Sequence, residues 1–305
     1  MTTAFLYLFA SFCWGLSYLA IGVMVHQIPP FMSGALRLTV ASLFFCLCLV
    51  LRGRSLKMTV SDFKKIALLA IMLQALPFSF LFWGEQHVEP ALAGILVSAV
   101  PIFVVLLSLV LRHEQEGILL KSVGVAFGFL GILIIFSPYL NIGDIEITGG
   151  AFAIIGTAIC YAIGNILLRK WMGSIDRWTN ITVQGFIASS MLWILSFISE
   201  DIPSINVLFV NTDILTAMLY LGIFSSGLAW IASFHIVEKL GSIRSSTICY
   251  PMALVSIFAD VIYFKRPPST ETIIGTLFIF FGVFVVQFTP PLLERLQRGR
   301  LAESL

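Results

Sequence analysis

The chain is a succession of long apolar runs separated by short polar links. Ten runs emerge, at residues 4–25, 32–51, 65–84, 91–111, 119–137, 149–168, 179–198, 215–237, 245–264 and 271–288. Each is close to the ~20 residues with which an α-helix crosses the hydrocarbon of a bilayer. The pattern predicts an all-α integral membrane protein of ten transmembrane helices. No link is long enough to fold as a soluble domain.

The runs repeat. Residues 91–111 are broken at Pro101, followed by a charged link (Arg112-His113-Glu114-Gln115-Glu116) and a run carrying Gly124, Gly128 and Gly131. Residues 245–264 are broken at Pro251, followed by Lys265-Arg266-Pro267-Pro268 and a run carrying Gly275 and Gly282. Pro101 to Gly124 is 23 residues and Pro251 to Gly275 is 24, while Gly124–Gly131 and Gly275–Gly282 are both 7. Spacings kept in order indicate an internal repeat, with halves at 4–137 and 149–288 and a short basic tail at 289–305. Early in the halves the offset is 147, matching Trp14 to Tyr161, Tyr18 to Asn165 and Arg37 to Gln184. Later it is 150, matching Trp83 to Ser233, Glu85 to His235 and Pro101 to Pro251.

Composition agrees with the membrane reading. Of 305 residues 59% are hydrophobic and 11% charged, where soluble domains carry about 25% charge, and mean hydropathy is +1.00. The first run lacks a preceding Lys or Arg and a small-residue cleavage site, so it reads as a retained span rather than a signal peptide. The five cysteines (Cys13, Cys46, Cys48, Cys160, Cys249) fall inside apolar runs at no metal-binding spacing, which makes them packing residues.

Charge sets the orientation. With a cytoplasmic N-terminus, the inner links hold Arg52, Arg54, Lys57, Lys64, Lys65, Arg112, Lys121, Arg169, Lys170, Arg177, Lys239 and Arg244, and the tail adds Arg295, Arg298 and Arg300. That is 15 of 18 basic residues inside, with Lys265 and Arg266 outside and Arg37 within a span. The acidic Glu85, Glu89, Asp144, Glu146, Glu200, Asp201, Asp213 and Glu271 fall on the outer side. Both termini are therefore expected in the cytoplasm. Five spans per half start the second copy on the opposite face, so the repeats are inverted, an arrangement suited to alternating access around a midplane site.

Trp14-Gly15 in the first span, Arg37 in the second after Pro29-Pro30, Pro101 in the fourth, the link with Glu114 and the glycine-bearing fifth span together resemble the EamA-type exporters of the drug/metabolite transporter superfamily. The resemblance covers 4–288 and implies a ten-helix carrier with a central cavity between its halves, working by alternating access. The second half departs from it, with Lys265-Arg266 where the first has its acidic link.

Candidate substrate contacts are polar or aromatic residues on apolar helices. Arg37 costs roughly 2.5–3.5 kcal/mol to place within a span, so it needs a partner. That partner is either structural (backbone carbonyls, Glu85 or Asp260) or a substrate carboxylate. Trp14, Ser17 and Tyr18 share one helical face, as do Tyr161 and Asn165. They line a pocket or pack with satisfied polar groups. Trp83, Gln86, Ser98, Ser226, Trp230 and Tyr250 complete the set. Glu85 and His235, matched in the repeat, are either a proton-coupling pair or headgroup-level polar residues. For Asp260, near Lys265-Arg266, a local salt bridge is the reading. Pro77, Pro101 and Pro251 are candidate helix hinges, and Gly124, Gly128 and Gly131 a close-packing stripe.

No catalytic constellation appears. His113-Glu114-Gln115-Glu116-Gly117 lacks the closing His of a zinc-protease motif, Gly143-Asp144 lies in a link rather than a span, and Asn180-Ile181-Thr182 is a sequon on the cytoplasmic edge. The expectation is a secondary carrier of the bacterial inner membrane, not an enzyme, exporting a small zwitterionic or amphipathic metabolite such as an amino acid. The alternatives are an exporter of lipophilic drugs and, from another class, a membrane enzyme or sensor. Its partners are a small-molecule substrate and the bilayer, without nucleic acid, metal or cofactor.

Overall fold

The computed structural model describes residues 2–53, 56–111, 118–137, 145–171, 173–204, 211–265, 268–282 and 284–285. The link with Glu114, Asp144, Arg266 and the tail at 289–305 lie outside the described residues. The helices are α1 (Thr3–Val25), α2 (Pro30–Leu51), α3 (Val60–Gly84), α4 (in two pieces, Pro90–Val97 and Val100–Val110), α5 (Ile118–Phe136), α6 (Ile145–Trp171), α7 (Arg177–Ser199), α8 (Thr212–Ser246), α9 (Cys249–Phe264) and α10 (Thr270–Gly282). Seven helices among the described residues are long and apolar enough to cross a membrane, three shorter ones are apolar, and there is no strand.

The helices start where the sequence supplies acceptors. Thr59 and Asp62 form a reciprocal capping box on α3. Asp176 accepts from the Thr179 N–H on α7, and Asn211 accepts from those of Asp213 and Ile214 on α8. Pro30 opens α2 at the position where a missing N–H does no harm.

Large apolar side chains such as Phe12, Leu47, Val50, Phe197, Ile198 and Ile262 point outward, which suits a lipid-facing surface. Inside, α2 packs most extensively on α7, α1 on α9 and α8, and α6 on α3 and α4. Exchanging α1–α5 for α6–α10 maps this pattern onto itself. The glycines complete it. A Cβ on Gly131 would overlap the Gly275 carbonyl, and one on Gly282 the Gly124 carbonyl, so α5 and α10 approach through the stripes of both halves.

Irregularities recur in register as well. The backbone of α3 widens into a π turn at Ile71–Ala75, and that of α8 at Tyr220–Leu228. α4 is interrupted at Ser98-Ala99, and α9 is preceded by a turn at Thr247-Ile248. The disturbance falls ahead of Pro77, Pro101 and Pro251 rather than on them. A proline ring clashes with the carbonyl four residues earlier and offers no N–H, and Leu73, Val97 and Thr247 are those residues.

Several sequence boundaries move, with α3 starting at Val60 rather than 65 and α6 at Ile145 rather than 149. Helical structure in α8 runs to Ser246, beyond the expected 237, with its break at Gly241 (φ 79°, ψ 175°), a backbone shape that glycine adopts freely. The following helix starts at Cys249 rather than 245 because Thr247-Ile248 forms the turn before Pro251.

Candidate functional site

An enclosed hollow lies between residues of both halves. Trp14, Ser17 and Tyr18 of α1, Arg37 of α2, Tyr161 and Asn165 of α6 and Trp230 of α8 all line it. The remaining wall is largely apolar, including Leu73, Phe78, Val97, Ile248, Cys249 and Met252, and among the described residues has no acidic one.

Arg37 is the charged element of this wall and is 2% exposed. Its Nε donates to Ser226 Oγ at 2.6 Å and its Nη2 to Ser225 Oγ at 2.8 Å. The guanidinium stacks on Phe78, 4.2 Å from the ring centroid, with Phe82 at 6.0 Å. Nη1 is buried without a hydrogen-bond partner among the described residues. The partners expected here from sequence are a protein carboxylate (Glu85 or Asp260), backbone carbonyls or a substrate carboxylate. The structure puts two neutral hydroxyls, because the π turn of α8 turns consecutive serines towards α2. No carboxylate of the described residues lies within 4.0 Å. Ser225 drew no attention in the sequence; the adjacent Ser225-Ser226 pair within an apolar run was the available signal.

The same turn holds α1. Trp14 Nε1 donates to the Ser225 carbonyl at 2.9 Å, and Tyr220 OH donates to the Cys13 carbonyl at 2.8 Å. Trp14 and Trp230 meet edge to face at 5.9 Å, a geometry favoured by the ring quadrupoles. Ser17 Oγ bonds its own helix at the Trp14 carbonyl, and Tyr18 OH points to Met252 Sδ at 3.7 Å. Tyr161 OH and the Asn165 amide have no protein partner among the described residues, which leaves both as donors and acceptors on the cavity wall.

The other candidates lie off this wall. Trp83 is 38% exposed and meets the His87 ring at a 56° tilt, centroids 4.7 Å apart. Gln86 borders a shallow hollow with Val25–Pro30, Glu200 and Asp201. Ser98 Oγ bonds the Ile95 carbonyl at 2.5 Å within its own turn. Ser226 serves Arg37. Tyr250 is buried against a second, smaller hollow and against the space beside Gly128. Glu85 is fully buried, with neither carboxyl oxygen hydrogen-bonded among the described residues. Its repeat mate His235 is half-buried, 3.4 Å from Thr3 Oγ1. Asp260 is buried in α9.

Glu200, at the end of α7, was read only as an outer acidic residue. Its carboxylate accepts from the Phe31 and Met32 N–H groups at 2.6 and 2.9 Å and from Ser196 Oγ at 2.7 Å. This caps α2 and clips it to α7. Asn211 hydrogen-bonds Gln27 on the same side.

The sequence profile of the EamA-like transporter family matches residues 1–137 and 148–288. An uncharacterized transporter of Archaeoglobus fulgidus is 27% identical over 90% of this chain and 94% of its own length. The uncharacterized transporter YoaV of Bacillus subtilis is 23% identical over 90% and 93%. Protein PagO of Salmonella typhimurium is 21% identical over 93% and 92%. One crystal structure matches with a TM-score of 0.72 at 20% identity, covering 94% of this chain and 98% of that one, a likeness of fold. Matched over nearly its whole length, and built of apolar helices around one cavity, this chain belongs to the EamA-like transporter family of multi-pass membrane proteins.

Proposed function

We propose that the protein is a secondary carrier that exports a small zwitterionic or amphipathic metabolite, amino-acid-like and carrying a carboxylate, across the inner membrane. It works by alternating access between two inverted five-helix repeats, 4–137 and 149–288, with both termini and the tail at 289–305 cytoplasmic. Three observations support the architecture: the two matched stretches, the helix pairings that map onto themselves, and the π turns in corresponding helices. The charge segregation of the links supports the orientation.

The observation that carries the substrate class is the buried Nη1 of Arg37, without a partner on a wall that has no acid among the described residues. A buried donor left unpaired costs about 1–3 kcal/mol, more when charged, and a carboxylate satisfies it. Tyr161, Asn165 and the Trp14–Trp230 pair then meet the rest of the molecule. Seen from the wall's apolar share, a lipophilic cargo is the second reading, with Arg37 a strut between α2 and α8.

The test compares N-acetyl-L-phenylalanine with its amide, which differ only in the carboxylate, by binding to the purified chain. Arg37→Gln should weaken the acid by about 10–100-fold, as expected for a charged hydrogen bond of ~1.5–3 kcal/mol, and leave the amide nearly unchanged. Arg37→Lys keeps the charge without the planar fork and should fall between. Equal loss for both compounds with a lower melting temperature would make Arg37 a strut and favour the lipophilic reading.

A further inference from the structure

We propose that Glu85 is a proton-binding site that competes with substrate for Arg37, so that a proton on Glu85 releases the guanidinium to the cavity. The competition rests on the carboxylate reading above; the pairing of Glu85 with Arg37 does not.

Two buried groups hold polar atoms that lack hydrogen-bond partners among the described residues. Glu85 is 0% exposed and neither oxygen finds a donor among the described residues, while Arg37 keeps Nη1 unpartnered. They are not an ion pair in this structure. Burial without a donor favours the neutral acid over the carboxylate, and in this proposal the arrangement is assigned to the protonated form. The two lie on one track. Phe78, Phe82 and Glu85 stand at i, i+4 and i+7 on α3, a single stripe, and Arg37 stacks on its first ring and approaches its second. Glu85 is the next member, less than one 5.4 Å turn past Phe82. Gly34, one turn before Arg37 on α2, rests against Phe82, and Gly22 of α1 lies against Glu85 Oε2. In this proposal the guanidinium slides along the stripe from Phe78 past Phe82 to the carboxylate.

The groups facing Glu85 electrostatically among the described residues are Arg37 from α2 and Tyr18 from α1. His87 on its own segment packs at a tilt against Trp83, and Glu89 is exposed. Only Arg37 can neutralise the ionised form. The step balances. The empty site holds Glu85 carboxylate on Arg37. Glu85 takes one proton from water, the pair opens, and the substrate carboxylate takes the vacated Nη1. With an anionic substrate, one negative charge and one proton enter together and the net charge of the site is unchanged; a zwitterion, whose own ammonium cancels its carboxylate, leaves the loaded site one positive charge higher.

The test uses the full chain in phosphatidylcholine nanodiscs and the infrared carbonyl stretch of protonated carboxyl groups. The Glu85 component is the part that Glu85→Gln removes, which separates it from Asp260. In the native chain this band should fade as pH rises. In Arg37→Gln it should persist to a midpoint at least about one pH unit higher, since the stabilising cation is gone, and Arg37→Lys should restore the native midpoint. At the native midpoint, N-acetyl-L-phenylalanine should bring the band back while its amide does not. Affinity for the acid should fall about tenfold per pH unit above that midpoint and become indifferent to pH in Glu85→Gln. An identical midpoint in the native chain and Arg37→Gln would overturn the proposal, as would a band absent at every pH. If the midpoint follows Arg37 but the acid never binds, the pairing stands and the carboxylate-carrier reading fails. If the acid binds through Arg37 with an affinity indifferent to both pH and Glu85→Gln, the carrier reading stands and the coupling falls.

Discussion

Glu200→Gln isolates the clip between α2 and α7 without changing side-chain size. The native carboxylate holds two N–H groups at the start of α2 and one hydroxyl, all within 2.6–2.9 Å. Hydrogen bonds to a charged group contribute ~1.5–3 kcal/mol each, and a negative charge at a helix N-terminus adds ~0.3–1 kcal/mol. Glu200 is half-buried, so water replaces part of what is lost, and Gln keeps one acceptor oxygen. The net expectation is about 2 kcal/mol, a shift of about thirtyfold in the equilibrium that separates α2 from α7 at this end. Val25, 4% exposed and bordering the adjacent hollow, reports it. With the five native cysteines replaced, a cysteine at Val25 should react with an impermeant maleimide about thirtyfold faster in Glu200→Gln, and the melting temperature should drop. A rate within about threefold of the parent and an unchanged melting temperature would refute the clip.

Reporter fusions at Leu305 and after Asn141 should report opposite faces of the membrane; the same face for both would break the ten-span inverted topology. Gly131→Val drives a side chain into the Gly275 carbonyl and Ile279, so thermal stability should fall by about 1–3 kcal/mol. Gly275→Val acts on the same contact, and the double variant should lose less than the sum of the two.

The architecture was legible because lipid imposes a coarse rule on sequence. Apolar runs of span length, basic links and paired glycines leave a signal in composition alone, and the Gly131–Gly275 and Gly124–Gly282 contacts follow from it. Part of the polar and aromatic lining was legible for the same reason: Trp14, Tyr18, Arg37, Tyr161 and Asn165 contrast with their surroundings, while the lining serines Ser233, Ser245 and Ser246 did not stand out. Leu73, Val97, Ile248 and Met252 do not, since an apolar side chain facing a cavity is written like one facing lipid. The partners of Arg37 were hidden by a backbone event. Ser225 and Ser226 reach it through a π turn, and ordinary helical periodicity places consecutive residues about 100° apart. Glu200 sits 169 positions from Phe31, and a cap made over that distance leaves no local trace. Ser98 and Tyr250 have the chemistry of cavity residues but face helix backbone and close-packed glycine instead, a choice made by helix rotation.

The guanidinium on a wall without acid has an electrical consequence. Moving one elementary charge through 100 mV of membrane potential is worth about 2.3 kcal/mol. A carrier whose empty site kept the Arg37 charge unmatched would return with the voltage or against it in every cycle. With an anionic substrate's carboxylate on Arg37 during the loaded passage and ionised Glu85 on it during the empty one, the site crosses the field uncharged both ways. Voltage then drops out of the energetics, and the rate of the cycle follows only the gradients of metabolite and of pH.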